Sequence, residues 1–590
     1  MKIKLLILIS ISFISCTSNI QIKKNSDFNK YISKYISNIR QKYGIVGMSV
    51  AIIDGNKTIF AKGFGYSDRN KKILATKDTV YRVGSVSKLV NLAAILKLQD
   101  KKLLDINKPI SNYIDFYTKD SKNLTQKVTL KNILTHYSGL APLQPFGGTE
   151  DKKMYKCTNL LKLIHNSYLQ FEPNSFNSYS NQAIALSGCI VSKVTNMKYS
   201  KYLKQNILKP LNMSSSDYGI NIVGKNVSKS YYNNKELKGS SYYYLPAIGL
   251  SASVEDMSNF VKMVLNNGKY RKKQVLSKNA INSMFNLKNN TSSKEWSSKL
   301  PLGWFVDNSG FEDIYYHTGK VGEYISVVAI MKKSKLGVVI ECNSDNILMD
   351  LLDTSKDILF KLWSKKYNKP IPRRAKEIKH PKFSVNFEGI YAIESLKSDI
   401  MVVKKDIYNR YKATTSKGLF YFKKYTNNCY RVEDPNNIFT FYSRGYNRCF
   451  KIANYKNGNK EIVLQKHEKD YITFATAINK QQNKSKLWSN YIGKYKPVKA
   501  IKNRYSTTII DIKRLKISKI ENKLFLTLYY PSNIIYDPDG IYLYSPLKIL
   551  NKNLAQGVAQ DMLGKVEAKV KNGKVFIVID GFEFEKIIDN

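Results

Sequence analysis

The sequence predicts an α/β (α+β) chain: an antiparallel sheet with flanking helices, an all-helical lobe set into it, and two small all-β barrel-like domains behind. Three observations predict this. Strand-forming hairpins stand at the two ends of residues 27–365, helical periodicity fills most of what lies between them, and beyond residue 381 the chain turns strand-rich and repeats itself. At 590 residues the chain is too long for one core.

Residues 1–16 read as a leader rather than as part of a domain. Met1-Lys2-Ile3-Lys4 supplies a positive start, Leu5 to Ile14 an apolar core, and Phe13-Ile14-Ser15-Cys16 a small-residue site before cysteine. The pattern resembles a bacterial lipoprotein signal. Cleavage before Cys16 and acylation of its thiol would tether the protein by lipid to the membrane of a bacterial cell envelope, on its periplasmic or extracellular face. No other apolar run approaches the roughly 18 residues that a spanning helix needs.

Asp27 to Tyr43 places Phe28, Tyr31, Ile32, Tyr35, Ile36 and Ile39 at helical spacing. A hairpin follows, Met48 to Ile53 and Thr58 to Phe64, turned at Asp54-Gly55-Asn56. The sheet resumes at Tyr324 to Met331 and Leu336 to Glu341, with a helix from Asp350 to Trp363 behind it. Residues 366–381 form a linker in which Lys366, Lys369, Arg373, Arg374, Lys376 and Lys379 alternate with Pro370, Pro372 and Pro381, a composition that suits neither helix nor sheet. Two domains follow, at 382–485 and 486–590. Phe387-Glu388-Gly389-Ile390-Tyr391 recurs as Tyr491-Ile492-Gly493-Lys494-Tyr495, and each copy later carries an Asn-Gly hairpin signal, Asn457-Gly458 and Asn572-Gly573.

Lys and Arg number 96 against 45 Asp and Glu, a net charge of +51. The surplus is mostly lysine in a chain also rich in asparagine, isoleucine and tyrosine, which points to AT-biased coding and a solvated basic surface; attraction to anionic envelope material is the functional alternative. An export signal argues against a nucleic-acid partner. Five cysteines remain after Cys16, an odd number. Cys189 and Cys342 sit in apolar runs and read as core packing without chemistry. Cys429 and Cys449 flank a strand-turn-strand pattern and could bridge in an oxidising compartment. The histidines, at 136, 165, 317, 380 and 467, show no metal-ligand spacing, so no metal or other cofactor is expected.

Chemistry enters at Tyr81-Arg82-Val83-Gly84-Ser85-Val86-Ser87-Lys88, followed by the apolar run Leu89 to Leu96. A serine and a lysine three apart at a helix start share one face. Because the helix is apolar almost all round, Lys88 would sit partly out of water, where its amine is neutral and serves as a base. Taken alone, the pattern is weak, since Ser545-Pro546-Leu547-Lys548 matches it too. Tyr179-Ser180-Asn181 and His317-Thr318-Gly319 follow it in order, although Tyr231-Tyr232-Asn233 and Tyr425-Thr426-Asn427 also fit the tyrosine motif.

With these three motifs in order, residues 27–365 resemble the serine β-lactamase and penicillin-binding-protein superfamily, and within it the class C β-lactamase, DD-peptidase and esterase branch. Thr135-His136-Tyr137-Ser138-Gly139-Leu140 and the Gly249-Leu250 to Asp256 and Phe260 segment agree with that branch. The resemblance implies Ser85 as acylated nucleophile, Lys88 as base and Tyr179 as proton relay. It implies an oxyanion hole made by the backbone N–H groups of Ser85 and Lys320. Asn181 would hold the substrate amide and help position Lys88, and His317, Thr318 and Gly319 would line the substrate, with His317 binding a carboxylate or donating to the tyrosine oxygen. β-Lactamases of this branch usually begin the third motif with lysine. His317 therefore favours a hydrolase of D-amino-acid-containing peptides, including those derived from peptidoglycan, or of related amides and esters. A β-lactamase and a non-catalytic receptor that is acylated by penicillin are the alternatives. Two departures concern the backbone. Pro173-Asn174 stands for the family's Pro-Gly, which asparagine can satisfy at positive φ, and Ile248 stands where a glycine is usual.

Overall fold

The structure is a computed structural model that describes residues 27–372, except 141–155, 170–171, 175–176, 178, 223–225, 238–243, 288–300, 308–310 and 345–347, and most strands between 382 and 587. The leader with Cys16, linker residues 373–381 and Asn457-Gly458 lie outside the described residues. Helix α1 (residues 27–42) buries Ile32 and Ile36, one turn apart on one face. Strands β1 (Gly47–Asp54) and β2 (Lys57–Asp68) form the expected hairpin, with Gly55 at φ +60° in its turn, and β3 (Ile73–Leu74) extends it. Much later in the chain come β4 (Phe305–Asp307), β5 (Ile314–Val321), β6 (Tyr324–Met331) and β7 (Leu336–Cys342). The sheet is antiparallel in the order β4-β5-β6-β7-β1-β2-β3, closed through the chain by β1–β7 pairing with Val50 opposite Ile340.

Between β3 and β4 lies the helical lobe. Its elements include α2 (Ser87–Asp100), α3 (Leu130–Leu134), α4 (Cys157–His165), α5 (Asn181–Thr195), the one-turn α6 (Leu245–Ile248) and α7 (Val254–Leu265). Helix α2 is buried from Ser87 to Leu96, as its unbroken apolar sequence requires. Polar caps set where the others begin: Ser180 accepts from Ala183 N at α5, Ser253 from Asp256 N at α7, and Thr129 and Asn132 form a capping box at α3. Helix α8 (Leu348–Tyr367) closes the domain. The period of two along β1 divides the interior. Met48, Val50 and Ile52 join α1 and α8 in one core, whereas Ala51 and Ile53 join the helical lobe in the other.

Glu341 on β7 belongs to the lobe-facing side, between Ser49 of β1 and Ser326 of β6. It is fully buried, and neither carboxyl oxygen has a hydrogen-bond partner. Burial, with Asp256 adding, pushes its pKa well above the usual carboxylate range, so the group is held neutral.

One expectation about cysteine fails. Cys189 does not merely pack: it is disulfide-bonded to Cys157, with Cα atoms 5.7 Å apart, and so ties α4 to α5. Cys342 is buried and forms no disulfide, and Cys429 and Cys449 are brought together with Cα atoms 5.1 Å apart.

Beyond the linker, a nine-stranded sheet runs from Lys382–Ser384 to Asp470–Ala477, and Cys449–Asn454 additionally pairs with Lys460–His467. Phe387, Phe420, Phe422 and Phe450 fill it. A closed barrel follows, from Gly493–Pro497 to Phe582–Lys586. The sequence repeat is visible atom by atom: Gly389 and Gly493 both hold φ +149°, which only glycine adopts readily, and Tyr391 and Tyr495 are both fully buried. Among the described residues no helix is long and apolar enough to cross a membrane.

Candidate active site

Ser85 sits where a short strand, Tyr81–Arg82, meets α2 through a single 3₁₀ turn over Gly84–Val86. Gly84 adopts φ +50°, and a Cβ there would lie 2.8 Å from Lys320 N, so no other residue fits between this turn and β5. Gly319 answers it from β5, where a Cβ would lie 3.1 Å from Ser85 N. The turn that carries Ser85 and the β5 segment Gly319–Lys320 therefore lie in close backbone contact.

Lys88 is the second residue of α2 and is 1% exposed. Its Nζ is 2.9 Å from Ser85 Oγ and donates to Ala247 O at 3.0 Å. Burial lowers its pKa well below the usual lysine value. A neutral amine has two N–H groups and one lone pair; with one N–H engaged by Ala247, the lone pair can face the serine hydroxyl. The position of Ala247 depends on α6, and Ile248 is accommodated because it is a buried helical residue, with Gly249 at an ordinary φ of −86°. Asn174 does adopt the left-handed conformation, at φ +67°.

Tyr179 immediately precedes the Ser180 cap of α5, and its hydroxyl donates to Ser85 Oγ at 2.8 Å. Lys88 Nζ stands 4.8 Å from the centre of the tyrosine ring. Asn181 opens α5, and its Oδ1 is buried without a partner. It does not hold Lys88. The lysine's partners are Ser85 Oγ and Ala247 O, so the expected positioning role falls to a backbone carbonyl instead.

His317 also differs from expectation. It lies on β5, 2% exposed, with its Nδ1 2.7 Å from Thr318 O. A carbonyl only accepts, so Nδ1 carries the proton. Burial, with Lys88 adding, lowers the imidazole pKa to about 3. The ring is therefore neutral, and Nε2 is an acceptor. It supplies neither a cation for a carboxylate nor a proton for the Tyr179 oxygen. Phe305, which carried no sequence signal, stands between the two, its ring centre 6.4 Å from that of Tyr179 and 5.1 Å from that of His317.

The other motif matches lie elsewhere. Ser545 is on a strand of the C-terminal barrel, paired with Leu526, rather than at the start of a helix. Tyr231 accepts from Arg69 N at 2.7 Å, and Tyr425 is exposed beneath Arg431. Two polar surface clefts, of about 640 Å³ along α7 and about 540 Å³ at the end of α2, share no residue with the Ser85 cluster.

A helical lobe seated on an antiparallel sheet, with a Ser-x-x-Lys turn between them, is an arrangement of the β-lactamase-like fold. The Beta-lactamase family model matches residues 32–358, and the chain belongs to that family. Among curated relatives, protein flp of Staphylococcus aureus (strain MRSA252) is 27% identical over 328 residues, 54% of this chain and 63% of that protein. The putative penicillin-binding protein PbpX of Bacillus subtilis (strain 168) is 30% identical over 195 residues, 33% of this chain and 46% of that protein. The chain thus spans less than two thirds of the length of the curated relatives it matches. Among solved structures, the octameric penicillin-binding protein homologue from Pyrococcus abyssi aligns with a TM-score of 0.50 at 17% identity, covering 94% of this chain and 99% of that one. SurE with D-Leu aligns with a TM-score of 0.53 at 14% identity, covering 77% and 99%. At these identities both show the fold alone.

Proposed function

We propose that the chain is an envelope-anchored serine hydrolase acting through a Ser85 acyl-enzyme on D-amino-acid-containing peptides or related amides and esters. The observation that carries this reading is the position of Ser85 Oγ, 2.9 Å from Lys88 Nζ and 2.8 Å from the Tyr179 hydroxyl. Ser85 passes its proton to the Lys88 lone pair while Oγ bonds to the substrate carbonyl carbon. The oxygen of the tetrahedral intermediate accepts from the N–H groups of Ser85 and Lys320. Lys88 returns the proton through Tyr179 to the departing nitrogen or oxygen, leaving an ester on Ser85. Water then attacks that ester with the roles reversed and frees a carboxylic acid.

Neutral His317 favours the uncharged amides and esters of this class over β-lactams, since it offers no charge to an anionic ring carboxylate. The test is a panel of D-alanyl peptides, nitrophenyl esters and a chromogenic cephalosporin. A peptide with a free carboxylate and its neutral ester should keep one ratio of kcat/KM from about pH 5 to 9, because His317 does not titrate there. His317→Lys installs a cation and should raise that ratio roughly ten- to a hundredfold, the worth of one charge-assisted contact. A wild-type preference for the carboxylate that fades as pH rises through about 6.5 would overturn the neutral reading. Fast cephalosporin turnover would make the chain a β-lactamase, and acylation without deacylation a receptor.

The anchoring half of the proposal rests on the Lys2 to Cys16 pattern. The wild-type protein should partition into detergent with its N-terminus at acylated Cys16, and Cys16→Ala should shift it to the aqueous phase. Wild-type protein recovered in the aqueous phase, beginning beyond Cys16, would sink it.

A further inference from the structure

We infer that His136 is a positioning residue for Tyr179, acting through its Nδ1 as a hydrogen-bond acceptor. The inference rests on the acyl-transfer role proposed for Tyr179. His136 lies just past the C-terminus of α3, in the turn Thr135-His136-Tyr137, and is 5% exposed. It adopts φ +60°, a left-handed conformation that costs energy for any residue with a Cβ and persists where the surroundings require it. That turn holds the segment leading to Tyr179 at three points. Tyr137 O accepts from Asn174 N at 2.8 Å, Thr135 O accepts from Asn177 Nδ2 at 3.2 Å, and His136 Nδ1 accepts from Ser180 N at 3.2 Å.

The third contact is the one to which the turn itself contributes a side chain, and it falls on the peptide joining Tyr179 to its cap residue. Ser180 precedes the first turn of α5, so its N–H has no partner within the helix. The same imidazole packs on the Tyr179 ring, with centres 4.3 Å apart and planes inclined at 34°. One ring thus fixes both the backbone and the side-chain direction of the tyrosine whose oxygen must meet Ser85 Oγ. Accepting at Nδ1 requires the proton on Nε2 and a neutral ring. Burial keeps it so.

The test is a double-mutant cycle read in single turnovers on the full chain, with a D-alanyl nitroanilide and the matching nitrophenyl ester. Expulsion of the anilide nitrogen needs a proton delivered through Tyr179, whereas nitrophenolate leaves without one. Tyr179→Phe should slow anilide acylation by roughly a hundredfold or more. His136→Phe keeps a ring and loses the acceptor; it should slow anilide acylation about ten- to a hundredfold, the ester much less, with half-saturation unchanged. In the Tyr179→Phe background it should add nothing. His136→Asn tolerates the left-handed turn and offers Oδ1 where Nδ1 stood, so it should recover most of the rate. Losses that multiply in the double variant, equal losses on both substrates, or a wild-type rate for His136→Phe would overturn the inference. If His136→Phe does not fold, the cycle is run with His136→Ala, judged by the same outcomes. A Tyr179→Phe protein with wild-type acylation would instead remove the role of Tyr179 itself.

Discussion

Ser85→Ala is expected to abolish covalent labelling by a fluorescent penicillin or fluorophosphonate while leaving the thermal unfolding transition in place. The hydroxyl is the atom that both Lys88 Nζ and Tyr179 OH address, and its removal leaves those two groups without a nucleophile between them. Because Ser85 itself is a small, partly exposed residue at the head of α2, its loss leaves the packing of that helix intact. Ser545→Ala should change nothing, since Ser545 lies on a strand of the C-terminal barrel and not on a Ser-x-x-Lys helix turn. The check is labelling followed by peptide mapping. Persistent modification of another residue in the Ser85→Ala protein would show that the wrong serine has been identified.

Lys88→Met should reduce acylation by roughly 10²- to 10⁴-fold, the usual contribution of a positioned general base. Methionine matches the length of the buried stem and carries no lone pair basic enough to take the serine proton. The pH dependence gives a sharper reading. The pKa of Lys88 is lowered by burial in the folded protein, and the base works only when deprotonated. In the wild type, kcat/KM should therefore rise with pH through that lowered pKa and level off below the ordinary lysine range near 10.4. In Lys88→Met the rising limb should vanish. The same shift has a sign in stability: between the lowered and ordinary pKa values the unfolded chain binds more protons than the folded one, so this residue makes stability rise with pH. Lys88→Met should remove that slope too. A rising limb that survives the substitution would assign the base to another group.

The parts of the site legible in the sequence are those written in local geometry or in side-chain type. Ser85 and Lys88 are one helical turn apart, so their meeting follows from the helix alone. Tyr179 is far along the chain, and only the order of three motifs connects it to Ser85. What the sequence withholds is written in backbone atoms and single protons. Ala247 holds the lysine with a carbonyl that every residue possesses, so the duty was expected of Asn181. The state of His317 turns on one hydrogen bond to Thr318 O and on burial, neither of which its position in the motif reveals. Glu341 reads as the polar end of a strand, yet that strand is central in the sheet and its lobe-facing carboxyl is fully buried. In the C-terminal half, the repeat was legible because Gly389 and Gly493 share a backbone conformation that restricts the residue to glycine.

The Cys157–Cys189 bridge encloses Tyr179, Ser180 and Asn181 within a covalent ring. Closing a loop with a sequence separation of 32 deprives the denatured chain of conformational freedom, in the loop-entropy model by roughly 3–4 kcal/mol at 25 °C. In the oxidised chain that freedom is already absent when folding starts, so the second motif joins the rest of the site as part of a closed ring rather than of an open polymer. Two sulfur atoms with no part in proton transfer thereby reduce the entropy that assembling the site must otherwise overcome.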